Sequence, residues 1–112
     1  MILFGGFSRQ NNVKNSLSDT WELKEKQWKL LKTEGPSARD HHAMAYDPGS
    51  KSMIVFGGYN GQYLGDTWQL VSGTWRLIAP NGPARAGKPA IFYDTFSKQL
   101  IMHGGWNNSN KP

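Results

Sequence analysis

DTWELKEKQWKLLKTEGP, residues 19–36, returns as DTWQLVSGTWRLIAPNGP, residues 66–83. Asp19 and Asp66, Trp21 and Trp68, Trp28 and Trp75, and Gly35 and Gly82 are each separated by 47 residues, as are Tyr46 and Tyr93, and Asp47 and Asp94. A fixed period in the forties that carries tryptophans and turn residues at matched places marks a repeat fold built of small sheets. The double glycines keep the same beat: Gly57 and Gly58 precede Gly104 and Gly105 by 47, whereas Gly5 and Gly6 precede Gly57 and Gly58 by 52. The five extra residues fall in FSRQNNVKNSLS (7–18), which faces YNGQYLG (59–65) in the next unit and reads as a long loop that absorbs an insertion.

Within the middle unit, RDHHAMAYD (39–47) reads as a strand, DPGSKS as a turn and SMIVFGG (52–58) as a strand buried on both faces. TWQLV (67–71) places Trp68 and Leu70 on one face, and WRLIA (75–79) follows the turn VSGT with Trp75 and Leu77 on one face. No stretch carries a sustained 3.6-residue period with helix caps, so the chain is expected to be all-β. Four short antiparallel strands, A to D, repeated radially are the blades of a propeller, which has about 4 to 8 of them. The glycine pairs are expected to end buried strands where a neighbour approaches closely or φ is positive. The tryptophans are large enough to fill the wedge between twisted blades. Asp19 and Asp66 suit acceptance of backbone N–H groups at a turn.

The pattern GPSARDHHAMAYDPGSKSMIVFGG, then DTWQL, then a second tryptophan seven residues after the first, resembles a kelch repeat, and the resemblance covers nearly the whole chain. It implies kelch-type β-propeller blades of four antiparallel strands, about two blades per chain. Residues 1–34 would supply strands B, C and D of a partial blade, 35–80 a complete blade, and 81–112 strands A and B of a third, nine strands in all. Such an incomplete ring exposes strand edges and a tryptophan face unless it is part of a longer chain or closes with copies of itself. Two blades from each chain would give six blades from three chains or eight from four.

By the same resemblance, an arginine opening strand A and the residue after each double glycine line one rim. This nominates Arg39, Arg85, Phe7, Tyr59 and Trp106 as partner-binding residues, beside a competing reading in which the arginines satisfy backbone carbonyls and the aromatics shield blade junctions. The function implied is an interaction module binding a partner, foremost a protein, through rim loops 7–18, 33–39, 59–65 and 80–86. The alternative is a piece of a propeller enzyme or carbohydrate-binding domain, with Tyr63 and Trp106 stacking on sugar rings.

Catalytic and metal chemistry find little support. His41 and His42 are adjacent on an expected strand and would face opposite ways, and His103 stands on another strand where Phe56 stands one unit earlier. Without cysteine, disulfides, thiolate ligands and the cysteine-linked tyrosine radical of copper-dependent kelch-like oxidases are excluded. Glu22, Glu25, Glu34 and Asp40 form no recognisable acid–base pair. No cofactor is expected. The net charge of +5 would favour acidic partners if clustered, but Lys24, Lys26, Lys29 and Lys32 flank a strand pair, where lysines discourage edge association, so nucleic acid is not the expected partner. No run approaches the roughly 18 apolar residues of a membrane span. The absence of cysteine and of a visible secretory signal is compatible with the cytoplasm, and Asn107-Asn108-Ser109 fits a glycosylation acceptor only if the chain is secreted.

Overall fold

A computed structural model describes residues 1–11, 13–31, 34–82 and 90–103. These residues are all-β, with no helix among them, and fall into antiparallel sheets. β1 (Ile2–Phe4) and the hairpin β2 (Phe7–Gln10) and β3 (Val13–Ser16) come first. β4 (Thr20–Lys24) and β5 (Gln27–Leu31) complete a three-stranded sheet in the order β1-β4-β5. β6 (Ala43–Asp47), β7 (Ser52–Phe56), β8 (Thr67–Val71) and β9 (Thr74–Ala79) form one four-stranded sheet in sequence order. β10 (Ala90–Asp94) and β11 (Gln99–His103) pair as a two-stranded sheet. The sheets therefore read B-C-D, A-B-C-D and A-B, and no closed ring forms among the described residues.

The 47-residue register extends to single atoms. Asp47 Oδ1 accepts from Gly49 N at 3.0 Å and Oδ2 from Ser50 Oγ at 2.8 Å; Asp94 repeats both bonds with Phe96 N and Ser97 Oγ at the same distances. These aspartate-initiated turns fix the reversal between strands A and B. Between C and D, Glu25 and Lys26 both have positive φ, and so do Ser72 and Gly73, as a two-residue hairpin that follows the strand twist requires.

The blades lean on each other through Trp75. Its side chain, 6% exposed, packs edge-on against the Phe4 ring at 5.2 Å, and its indole N–H donates to Thr20 Oγ1 at 2.9 Å, both partners belonging to the preceding blade. Phe4 and Thr20 are themselves register partners in the β1–β4 ladder, so one B–C pair receives the tryptophan of the next blade's D strand. Gly35 lies flat on that indole, where any Cβ would run into Trp75. Val55 and Leu70 close the cluster, with Ile2, Met44, Met53 and Trp68 packed around it. The wedge role expected of the tryptophans belongs here to Trp75. Its counterpart Trp28, on the outer face of the first sheet, is 48% exposed, with no blade against it among the described residues.

Two expectations are corrected and one is extended. Strand A begins at Ala43, not at Arg39, since residues 39–42 leave the strand path and His41 sits at φ 58°. The 7–18 insertion is a hairpin as well as a loop, so the described residues hold eleven strands where nine were expected. Asp19 and Asp66 each accept, in addition, the indole N–H two residues on, Trp21 at 2.6 Å and Trp68 at 2.7 Å, and the Asp66 carboxylate also takes a backbone N–H as foreseen.

Candidate functional site

The two double glycines among the described residues turn the chain with positive φ at both positions: 71° and 99° at Gly5 and Gly6, 68° and 111° at Gly57 and Gly58. This is backbone that residues with a Cβ rarely adopt. Residues 39–42 thread between the two turns. Arg39 O accepts from Gly6 N at 2.9 Å and Arg39 N donates to Leu17 O at 3.0 Å, while Asp40 exchanges backbone bonds with Tyr59 at 2.7 and 3.0 Å. The segment is thus stitched to the first blade on one side and the middle blade on the other. A Cβ on Gly5 would lie 2.7 Å from Arg39 O, and one on Gly58 would lie 2.9 Å from Asp40 O, which is why glycine stands at both places. His42 fills the space between these turns, its ring edge-on to Phe4 at 5.5 Å.

Arg39 points inward. Its side chain is 1% exposed and its guanidinium forks onto Asp66, Nη1 to Oδ1 at 2.7 Å and Nη2 to Oδ2 at 2.9 Å. It also donates to Gly57 O at 3.1 Å, to Ser37 O at 3.0 Å and to Ser37 Oγ at 3.0 Å. Of the two readings of this arginine, the geometry is that of satisfied carbonyls: Arg39 braces the rim from beneath and offers a partner no free surface. Asp40, also buried, accepts from Ser16 Oγ at 3.1 Å through Oδ1 and faces His41 Nδ1 at 2.7 Å through Oδ2. Serine, aspartate and histidine meet here, but the hydroxyl points at the carboxylate. A nucleophilic serine must instead hand its proton to the imidazole, so this order braces a loop and does not activate an oxygen.

Above this brace lies an open cleft of about 620 Å³ lined by Asn15, Ser16, Ser37, Ala38, Tyr59, Asn60 and Gly61. Its walls come from the 7–18 hairpin, the D–A connection and the B–C loop of the next blade, three of the four rim loops expected to act together. A second cleft of about 520 Å³ repeats the arrangement one junction on, between residues 62–66 and 80–82. Phe7, the register partner of the cleft residue Ser16, stacks on His41 at 6.5 Å and carries the Arg9 guanidinium 5.9 Å from its ring centroid; Tyr59 packs on Tyr63 at 5.0 Å. Arg85 and Trp106 lie outside the described residues.

A family model described as the KLHDC2/KLHL20/DRC7 Kelch-repeats domain matches residues 1–111. The chain belongs to the kelch-repeat family. No curated protein matches it. Kelch-repeat domains are propeller-type modules that commonly mediate protein interaction. In this kelch chain no group of three or more His, Asp or Glu side chains that could hold a metal ion occurs among the described residues. No helix among them is long and apolar enough to cross a membrane.

Sequence reasoning missed Asp40, Ser16 and His41 as builders of the rim. Their contacts join residues 24 positions apart and fall outside the repeat: 47 places after Asp40 stands Gly87. The Asp66 partnership left one readable trace, for Asp-x-Trp spacing puts both side chains on the same side of an extended chain.

Two partly buried groups contribute to the acid response. Burial lowers the His42 imidazole below its ordinary 6.5. Burial alone would raise the Asp66 carboxyl, but the hydrogen bonds from Arg39 and Trp68 and the arginine's charge outweigh it and leave the group below 3.8. In both cases the unfolded chain takes up the proton first as pH falls, so stability is complete above the ordinary value and is lost as pH drops through the folded one. The melting temperature is expected to begin falling below pH 6.5 and to fall again below 3.8. His42→Gln removes the first decline, and Asp66→Asn reduces the second, to which Asp94, held below 3.8 by its bonds from Ser97 and the Phe96 N–H, also contributes. A flat profile from about pH 7 to pH 3 contradicts both assignments.

Proposed function

We propose that the chain is a non-catalytic kelch interaction module that binds a protein partner through the rim loops of an assembled propeller, with blades dividing at 34/35 and 80/81 and with copies of the chain closing the ring. The observation that carries this reading is the convergence of loops from two successive blades on one open cleft, above a buried Arg39–Asp66 brace that holds them in place. Asn15, Ser16, Ser37 and Asn60 offer donors and acceptors suited to a peptide backbone, and Tyr59 and Phe7 offer aromatic anchor area. Arg39 supports these contacts from below, while Arg85 and Trp106 enter on the resemblance alone.

The test is selection of peptides from a displayed random library on the purified chain, followed by affinity measurement on variants. Tyr59→Ala and Phe7→Ala are each expected to weaken selected peptides about tenfold or more, a loss of about 1.4 kcal/mol, with thermal stability changed little. Peptides that bind both variants as tightly as the parent contradict the rim assignment. A glycan array probed with the same protein separates the carbohydrate-binding alternative.

A further inference from the structure

The core around Trp75 has an incomplete twin between the second and third sheets. An apolar cleft of about 300 Å³ opens there, and five of its lining residues, Ile54, Phe56, Ile91, Leu100 and Met102, are repeat counterparts of members of the Trp75 cluster, beside Asp47, Thr67, Gln69 and Ile78. Phe56 and Ile54 stand 52 residues after Phe4 and Ile2, and Phe56 pairs with Thr67 across β7–β8 as Phe4 pairs with Thr20 across β1–β4. Ile91, Leu100 and Met102 stand 47 after Met44, Met53 and Val55. The members without a counterpart in the lining are those that strands C and D supply: Trp68, Leu70 and Trp75.

Counting back 47 residues from those three gives Trp21, Leu23 and Trp28, on the first sheet, where Trp28 stands exposed. Trp28 pairs with Leu23 across β4–β5 as Trp75 pairs with Leu70 across β8–β9, so the two faces have the same shape. We propose that the β4–β5 face of one copy seats in the β7–β8/β10–β11 cleft of the next. Trp28 then lies against Phe56 and donates its indole N–H to Thr67, as Trp75 does to Thr20. This names the interface on which the self-closure reading rests. Strand A of the shared blade is β10 from one copy, strands C and D are β4 and β5 from the next, and one of the two B strands, β1 or β11, is displaced. The contact is head-to-tail, so it propagates until a ring closes.

Sedimentation of the intact chain tests it, because one variant can break each side. The parent is expected to sediment as three or four chains. Trp28→Ala removes the inserted side chain and Ile91→Arg blocks the cleft; each alone is expected to remain a folded monomer, with association weakened about 100-fold or more, as for truncation of an interface anchor. Mixed in equal amounts, the two should form a one-to-one dimer, since each keeps the half that the other lacks. Trp28→Ala assembling like the parent, or a mixture that stays monomeric, overturns the seat and leaves self-closure standing by another route. A monomeric parent overturns both, and the occupant of the cleft is then a further repeat of a longer polypeptide or a foreign protein.

Discussion

Trp75→Ala is expected to destabilise the chain by about 3–5 kcal/mol, the range for truncating a buried aromatic to alanine. The indole is the centre of the cluster that joins the first two sheets, and its loss leaves a void between Phe4, Val55 and Leu70. It also leaves Thr20, itself buried, without the donor that satisfies its hydroxyl. Trp75→Phe should recover part of the loss, since it restores apolar volume without the N–H. The comparison that isolates the mechanism is Trp28→Ala, the same substitution one period earlier, which should change the stability of the dilute chain by less than about 1 kcal/mol because Trp28 packs against no blade there. Urea unfolding of the three variants checks this. Equal losses at the two tryptophans would mean that neighbour packing does not distinguish them.

Arg39→Ala carries the second large effect, also about 3–5 kcal/mol, because removing one member of a buried ion pair strands the other. Five hydrogen bonds leave with the guanidinium, including the fork onto Asp66 and the bond to Gly57 O at the double-glycine turn. Asp66 keeps the bond from Trp68 and is 22% exposed, which moves the expected value toward the lower end. Arg39→Lys is not expected to rescue, since an ammonium cannot reproduce a planar two-point contact while also reaching the carbonyls of Ser37 and Gly57. The Arg39→Ala/Asp66→Ala double variant should cost clearly less than the sum of the single variants. An additive result would mean that the pair does not act as a unit. Because Ser37 and Ala38, which line the cleft, are held in place by the brace, Arg39→Ala should also weaken rim ligands, in contrast to Tyr59→Ala, through lost order and not through lost contact.

The repeat made most of the fold legible, and the departures from repetition hid most of the site. Asp47 and Asp94 could be read as turn-formers because a carboxylate that caps its own turn needs only local sequence. Trp75 could be read as a wedge because its size, its alternation with Leu77 and its spacing from Trp28 all point to a task that recurs with each blade. The 7–16 hairpin was hidden by its composition: Phe7 and Val13 are 46% and 57% exposed, so it shows no apolar alternation to read as strands. Arg39 was hidden by register, since Ala86 stands 47 places on and the nearest arginine is Arg85. Its sequence position suggested the rim, whereas its direction depended on Asp66, 27 residues away, which no local pattern specifies.

Hydrogen exchange at the indole N–H groups reaches the central claim most directly, namely that blades join by seating a D-strand tryptophan on the B–C pair of the blade before it. With the chain dilute enough to be monomeric, Trp75 is expected to exchange slowly, held by Thr20 and buried, while Trp28 exchanges at the rate of a solvated indole. At concentrations where copies associate, Trp28 should slow as well. Fast exchange at Trp75 in the folded dilute chain, equal to that of Trp28, would contradict the account.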